Sequence, residues 1–172
     1  MADEMDYMAQ AKELADSYRL LVHRRDLLRQ QYEDSRSWFY TKDEIIYKLS
    51  QGAHDESERV QTSGTSNPVE HTVLNCDKVL ASMNREVQTQ RTEQFLEPYY
   101  EVCEQIELFE IGLRSLRGQT RLVAEQLFVD GKKQSEITGA DGNNLTRRNV
   151  VREKENALQG IAAVIRWRRE GA

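Results

Sequence analysis

Seven apolar side chains in the middle of the chain recur at alternating intervals of three and four residues. This spacing places them along one face of an α-helix, and over three heptads it is typical of a coiled-coil seam or a tight helical bundle. An amphipathic helix needs a partner to be stable in water, so the run predicts helix packing against helix. The side chains are Phe95, Tyr99, Val102, Ile106, Phe109, Leu113 and Leu116.

Two other segments carry the same kind of stripe. One lies in a helix predicted over about residues 4–36, and the other precedes the run above. With only nine Gly and two Pro, the chain is predicted to be all-α, and a homo-oligomer through the helical segments is expected because the stripes can pair within or between chains. The two stripes are Leu14, Tyr18, Leu21, Leu28 and Tyr32, and Val73, Cys76, Leu80, Met83 and Val87.

The pattern divides the chain into four segments. Residues 1–49 form a helical N-terminal segment, and residues 50–68 are polar and rich in Ser, Thr and Gly, as in a linker or loop. Residues 69–117 carry coiled-coil-like helices, and residues 118–172 form a C-terminal domain of shorter elements. Together they predict an elongated helical region followed by a compact C-terminal unit.

Two local signals refine these boundaries. Thr41 precedes Glu44 by three residues, the spacing of a capping box, which predicts that a short helix begins there. Pro98 suits the first turn of a helix, so it marks a predicted restart. The aromatic residues 38–40 are expected to dock a loop onto the core.

Charge is distributed unevenly along the chain, whose formal net charge is −5. Residues 1–113 hold 12 Lys and Arg against 22 Asp and Glu, whereas residues 114–172 hold 12 against 7. This asymmetry indicates a polyanion-binding end on an acidic carrier, although a solvated surface alone also produces it.

Other classes are excluded on composition and spacing. No stretch approaches the roughly 20 apolar residues of a membrane span, and the N-terminal ten residues are acidic, so a cytoplasmic protein without membrane contact is expected. Cys76, Cys103 and His71 lack the spacing of zinc ligands, and no phosphate loop or nucleophile motif is present. We therefore expect a non-enzyme with no metal or cofactor and with reduced thiols.

The C-terminal domain is read as three helical segments. Residues 119–129 form the first, which ends at Asp130-Gly131, and a short second helix is centred on Ile137 and closed by a turn with Gly139 and Gly142. The third follows Thr146, an acceptable N-cap, within residues 145–158, where three Arg and one Lys are concentrated. This is the layout of a helix-turn-helix, whose recognition helix enters the DNA major groove by its N-terminal residues.

The segment RLVAEQLFVDGKKQSEI followed by TRRNVVREKENAL resembles the helix-turn-helix of the fourth conserved region of bacterial sigma factors. It resembles most the small ArpU-like regulators of phages and prophages, in which this unit follows a coiled-coil region. The resemblance covers residues 119–158 best and residues 58–116 more loosely. The turn is about two residues longer than usual, and Lys133 replaces the usual capping Ser.

The resemblance implies a sequence-specific transcription regulator that binds double-stranded DNA, with RNA polymerase as a further partner. Two alternatives remain open: an interaction module that binds RNA polymerase or a sigma factor, and a DNA-packaging component like the small terminase subunit. The C-terminal RWRR sequence, residues 166–169, is expected either to contact phosphate or to dock on the helical bundle, and the aromatic Trp167 favours docking. The predicted DNA-binding residues are Thr146, Arg147, Arg148, Asn149, Val151 and Arg152, with Lys132, Lys133 and Arg121 as phosphate contacts.

Overall fold

A computed structural model describes residues 2–52 and 68–171. Within them the fold is all-α, as predicted, and its only β-type pairing is an isolated antiparallel bridge between Thr138 and Asn144. Its α-helices are α1, Ala2–Asp34; α2, Lys42–Gly52; α3, Pro68–Arg91; α4, Glu97–Ser115; α5, Gly118–Ala124; and α6, Arg147–Glu170.

Four shorter helical turns connect or extend these helices. A 3-10 turn, Ser35–Trp38, follows α1, and a π-helical turn, Thr92–Leu96, separates α3 from α4. A second π-helical turn, Glu125–Val129, extends α5, and a second 3-10 turn, Gln134–Glu136, lies between α5 and α6. Pro98 lies in the first turn of α4, as predicted, but it does not mark a fresh helix start, because the π-helical turn continues α3 into α4 with helical backbone at both Arg91 and Glu97.

The predicted linker lies largely outside the described residues. Of residues 50–68, the structure describes 50–52, which end α2, and Pro68, which begins α3. The capping box at the start of α2 is confirmed: the Thr41 amide donates to Glu44 Oε2 at 2.8 Å, and the Glu44 amide donates to Thr41 Oγ1 at 3.3 Å.

The described chain divides into two compact units, of which the first comprises residues 2–28 and 99–171. Its core centres on Phe109 of α4, whose ring contacts Tyr18 of α1 at 4.6 Å and Phe128 at 6.1 Å between ring centroids. Helices α4 and α6 pack closely at Gly112, where a Cβ atom would lie only 3.1 Å from the Ile161 side chain. The face of α6 that carries Ile161 is therefore fixed against α4.

The second unit comprises residues 29–52 and 68–98. Its organising side chain is Arg91, which is 3% exposed and lies over the rings of Tyr32 and Phe39 at 4.3 and 4.8 Å. Arg91 donates to Ser35 Oγ at 2.7 Å and to the Tyr32 carbonyl at 2.8 Å. Because these acceptors belong to α1 and the following turn, Arg91 ties that corner to the end of α3. The predicted docking of the aromatic segment is confirmed for Phe39, which lies under Arg91, and for Tyr40, whose amide donates to Asn84 Oδ1 at 2.8 Å, whereas Trp38 is 40% exposed.

Candidate nucleic-acid interface

The N-terminal end of α6 is the most basic helix start in the C-terminal part of the chain. The helix begins at Arg147 after Thr146, whose backbone is extended and whose hydroxyl accepts from the Asn149 amide at 3.4 Å. The prediction that Thr146 caps this helix is confirmed. The first turn of α6 contains no acidic residue, so its unpaired amides and its arginines add positive potential at one place.

A small hydrophobic cluster holds this end of α6 in position. Val123 of α5, Ile137 of the connecting loop and Val150 of α6 are fully buried together, and Leu127 and Leu145 pack against them. Val150 lies in the first turn of α6, so the residues on its other faces are presented from a packed helix rather than from a frayed end.

The segment between α5 and α6 differs from the prediction. The expected second helix centred on Ile137 is wrong: the helical part is the 3-10 turn Gln134–Glu136, and Ile137 is extended with φ −77° and ψ 124°. The Leu145 amide donates to the Ile137 carbonyl at 2.9 Å, and the Gly139 amide donates to the Asn143 carbonyl at 2.8 Å. Residues 137–145 therefore form a bridged loop.

Gln126 explains why this loop replaces a helix. The side chain is 5% exposed, and its Nε2 donates to the Thr138 carbonyl at 2.9 Å while its Oε1 accepts from the Thr138 amide at 3.1 Å. A glutamine amide that pairs with both main-chain groups of one residue acts like a neighbouring strand, which favours extended backbone. The tip of the loop needs Gly142, whose φ of +78° lies in the left-handed region.

Arg147 and Arg148 are exposed, and within the described residues neither makes an ion pair or a hydrogen bond through its side chain. Arg152 lies one turn beyond Arg148 on the outer face of α6, and its Nη2 donates to Glu153 Oε1 at 3.0 Å. Its side chain is still 66% exposed. These three guanidinium groups can therefore reach a partner in solvent.

Glu153 is a residue of this site that the sequence did not single out. It is buried on the inner side of α6, where Thr120 Oγ1 donates to its Oε2 at 2.6 Å. This hydrogen bond from Thr120, together with the Arg152 guanidinium, lowers the pKa of Glu153 despite the opposing effect of burial. Glu153 therefore links α6 to α5 and restrains Arg152 on the outer face.

The other predicted contacts on α6 lie beside these arginines. Val151 is exposed and Asn149 is half-buried. Asn149 lines a hollow of about 280 Å³ together with Arg152, Glu153 and Asp141. Because two carboxylates line it, the hollow is unfavourable for a phosphate, and anion contacts are expected from the exposed side of α6 instead.

The three predicted phosphate contacts lie on other elements, and the side chains of Lys132 and Arg121 already have partners. Lys132 Nζ donates to Gln126 Oε1 at 3.3 Å, and the exposed Lys133 begins the 3-10 turn. Arg121 forms an ion pair with Glu125 at 2.8 Å and lines a separate cleft that includes Tyr18. The structure thus brings together the predicted residues of α6, and it places Arg121 in another cleft of the same unit.

Comparison of the chain with family models, curated proteins and solved structures gave no match. Among the described residues, no helix combines the length and the apolar character that crossing a membrane requires.

Proposed function

We propose that the N-terminal half of α6 binds double-stranded DNA and that the chain is a sequence-specific transcription regulator of phage or prophage origin. The observation that carries the proposal is the pair of exposed arginines, Arg147 and Arg148, at the start of a helix that Val150 anchors in the core. The phage origin rests on the resemblance of residues 119–158 to ArpU-like regulators.

The dimensions and chemistry of α6 suit the major groove. An α-helix with its side chains is about 10–12 Å across, and the major groove of B-DNA is about 12 Å wide. Arg148 and Arg152 are separated by one helical turn on the outer face, so both can contact the same groove. Arginine donates in pairs to guanine or to phosphate, and a good bidentate base contact contributes roughly 1–3 kcal/mol of discrimination.

The bridged loop gives this proposal a form different from the expected helix-turn-helix. A second helix would cross the DNA backbone, whereas here Ile137 and Gln126 brace α6 through a loop. Lys132 and Lys133 flank that loop and are exposed, so they are the phosphate contacts best placed to accompany α6.

A homo-oligomer is proposed from α1. Leu20 and Leu27 are 69% and 45% exposed, and their seven-residue spacing places them on one face, roughly 100° around α1 from the buried stripe that includes Leu14 and Leu21. Pairing of α1 with a second copy would cover both leucines. A dimer would also present two copies of α6 to DNA, as regulators that read paired half-sites do.

The test is fluorescence anisotropy with labelled random-sequence and promoter-containing duplexes at low salt. The triple variant Arg147→Ala, Arg148→Ala, Arg152→Ala is expected to bind at least about tenfold more weakly than the unsubstituted chain, because phosphate contacts dominate affinity. The matched control replaces three exposed basic residues of the second unit and so has the same net charge. Its substitutions are Arg36→Ala, Lys78→Ala and Arg85→Ala.

The outcomes separate the candidate functions. Equal losses of DNA affinity in the two triple variants would show that only the total charge of the chain matters. The assignment of the DNA contact to α6 would then be wrong. Absence of DNA binding by the unsubstituted chain, with capture of purified RNA polymerase or sigma factor instead, would favour the interaction module. A ring of about eight or more chains by mass would favour a packaging component.

A further inference from the structure

The C-terminal end of α6 carries an exposed aromatic ring that the proposed duplex contact does not use. Trp167 is 73% exposed, the highest fraction among the exposed large hydrophobic side chains of the described residues, so the expected docking of Trp167 on the bundle is wrong. The indole Nε1 lies 3.8 Å from the position that a Cβ atom of Gly171 would take, so the ring extends along the last turn of α6. Because Gly171 has no side chain and Trp167 is this exposed, a face of the indole ring stays open to solvent.

Two arginines lie on either side of this ring on the helix surface, because Arg166 and Arg168 are each roughly 100° around α6 from Trp167. Arg169 lies nearly opposite, where its guanidinium is 5.9 Å from the centroid of the Tyr7 ring. The side chains of all three arginines are about half exposed. Their carboxylate partners are Glu170, Glu107 and Asp6, each at 3.9 Å and each more than 60% exposed. Ion pairs this long and this exposed stabilise little, so phosphate groups can replace the carboxylates.

We infer that Trp167 and its flanking arginines form a contact for single-stranded nucleic acid, in which an unpaired base stacks on the indole ring and the arginines bind the adjoining phosphates. An open aromatic face beside positive charge is the combination that binds single strands without sequence preference. A duplex does not fit the ring in the same way, because its base faces are already stacked. The charge of Arg166 and Arg168 favours a polyanion over an uncharged apolar partner.

This contact is separate from the duplex site. At 1.5 Å per residue, Arg166 lies roughly 21 Å along the helix axis from Arg152. Loss of duplex binding at the N-terminal half of α6 would therefore leave the contact at Trp167 unaffected.

The two tryptophans of the chain provide a matched pair of reporters. In Trp38→Phe, Trp167 is the only tryptophan, and we expect a 20-nucleotide oligo(dT) to quench its fluorescence at low salt. In Trp167→Phe, Trp38 is the only tryptophan, and no quenching is expected. Anisotropy of labelled oligo(dT) should show binding by Trp167→Ala weakened about 5- to 150-fold, the range for loss of one base stacked on a ring.

A second variant separates charge from stacking. Arg166→Gln should keep the quenching but flatten the dependence of log K on log salt by about 0.7, the value for one phosphate of a single strand. Circular dichroism of each variant establishes that α6 is intact.

Absence of Trp167 quenching, or equal quenching by a matched duplex, would overturn the inference. A blue shift with phosphatidylglycerol vesicles and no response to oligo(dT) would overturn it in favour of a membrane surface. The triple variant of Arg147, Arg148 and Arg152 should retain the oligo(dT) quenching, so failure of the duplex proposal is distinguishable from failure of this one.

Discussion

Replacing Gln126 with leucine tests the bracing of α6 by the bridged loop. The two hydrogen bonds with Thr138 main-chain groups, a third from the Thr138 hydroxyl at 3.2 Å and a fourth from the partly exposed Lys132 Nζ at 3.3 Å would be lost, while a side chain of similar bulk fills the site. A typical intramolecular hydrogen bond contributes about 1 kcal/mol net, and half-buried main-chain groups without partners add a penalty, so Gln126→Leu should lower the free energy of unfolding by roughly 2–3 kcal/mol.

The matched control is Gln119→Leu. The side chain of Gln119, in α5, also makes a hydrogen bond with this loop. Gln119 Oε1 accepts one hydrogen bond, from the exposed Ala140 amide at 3.2 Å, and its buried Nε2 has no partner among the described residues. Gln119→Leu removes one hydrogen bond but also removes a buried amide nitrogen that has no partner in the described part of the chain. It should therefore lower the free energy of unfolding by less than about 1 kcal/mol.

Urea denaturation followed by circular dichroism measures both changes. Hydrogen exchange of the Gly139 and Leu145 amides, which close the loop, should accelerate in Gln126→Leu and stay nearly unchanged in Gln119→Leu. If Gln126→Leu lowered the free energy of unfolding by less than about 0.5 kcal/mol, or by as much as Gln119→Leu, the Gln126 side chain would not be what holds Thr138 extended.

Three further changes test other parts of the account. Gly112→Val should lower the thermal midpoint and cost roughly 1–3 kcal/mol, because its side chain would collide with α6; an unchanged midpoint would contradict the close helix contact. The lowered pKa of Glu153 means that its stabilising effect is present above an unfolded pKa of about 4.3 and is lost as pH falls through the folded value. Glu153→Gln should thus lower the free energy of unfolding at pH 7 but change it little at roughly pH 3, as measured by urea unfolding at the two pH values. An equal loss of stability at both pH values would contradict this role of the Glu153 carboxylate. The double variant Leu20→Gln, Leu27→Gln should reduce the mass measured by light scattering to that of a monomer, whereas an unchanged mass would place the oligomer contact elsewhere.

The long helices could be predicted because their signal is local. The stripes that include Leu14, Cys76 and Phe109 repeat at the helical period, and burial of those residues follows from it. The start of α2 was equally accessible, since a capping box needs only Thr41 and Glu44.

The connection before α6 could not be predicted from its own residues. The polar run that ends at Ile137 fits a short helix, and the competing interaction comes from Gln126, a side chain eleven residues earlier in another element. Tertiary pairing of this kind overrides local propensity and leaves no periodic signal. Trp167 shows the converse: its aromatic side chain favours docking, yet among the described residues it is left 73% exposed.

The salt dependence of duplex binding measures how many phosphates the N-terminal half of α6 neutralises. If Arg147, Arg148 and Arg152 each neutralise a phosphate, the slope of log K against log salt should flatten by about 2.7 in the triple alanine variant, since each contact contributes about 0.9. The control variant with Arg36, Lys78 and Arg85 replaced should keep the slope of the unsubstituted chain. An unchanged slope in the α6 variant would contradict the placement of DNA on the N-terminal half of this helix.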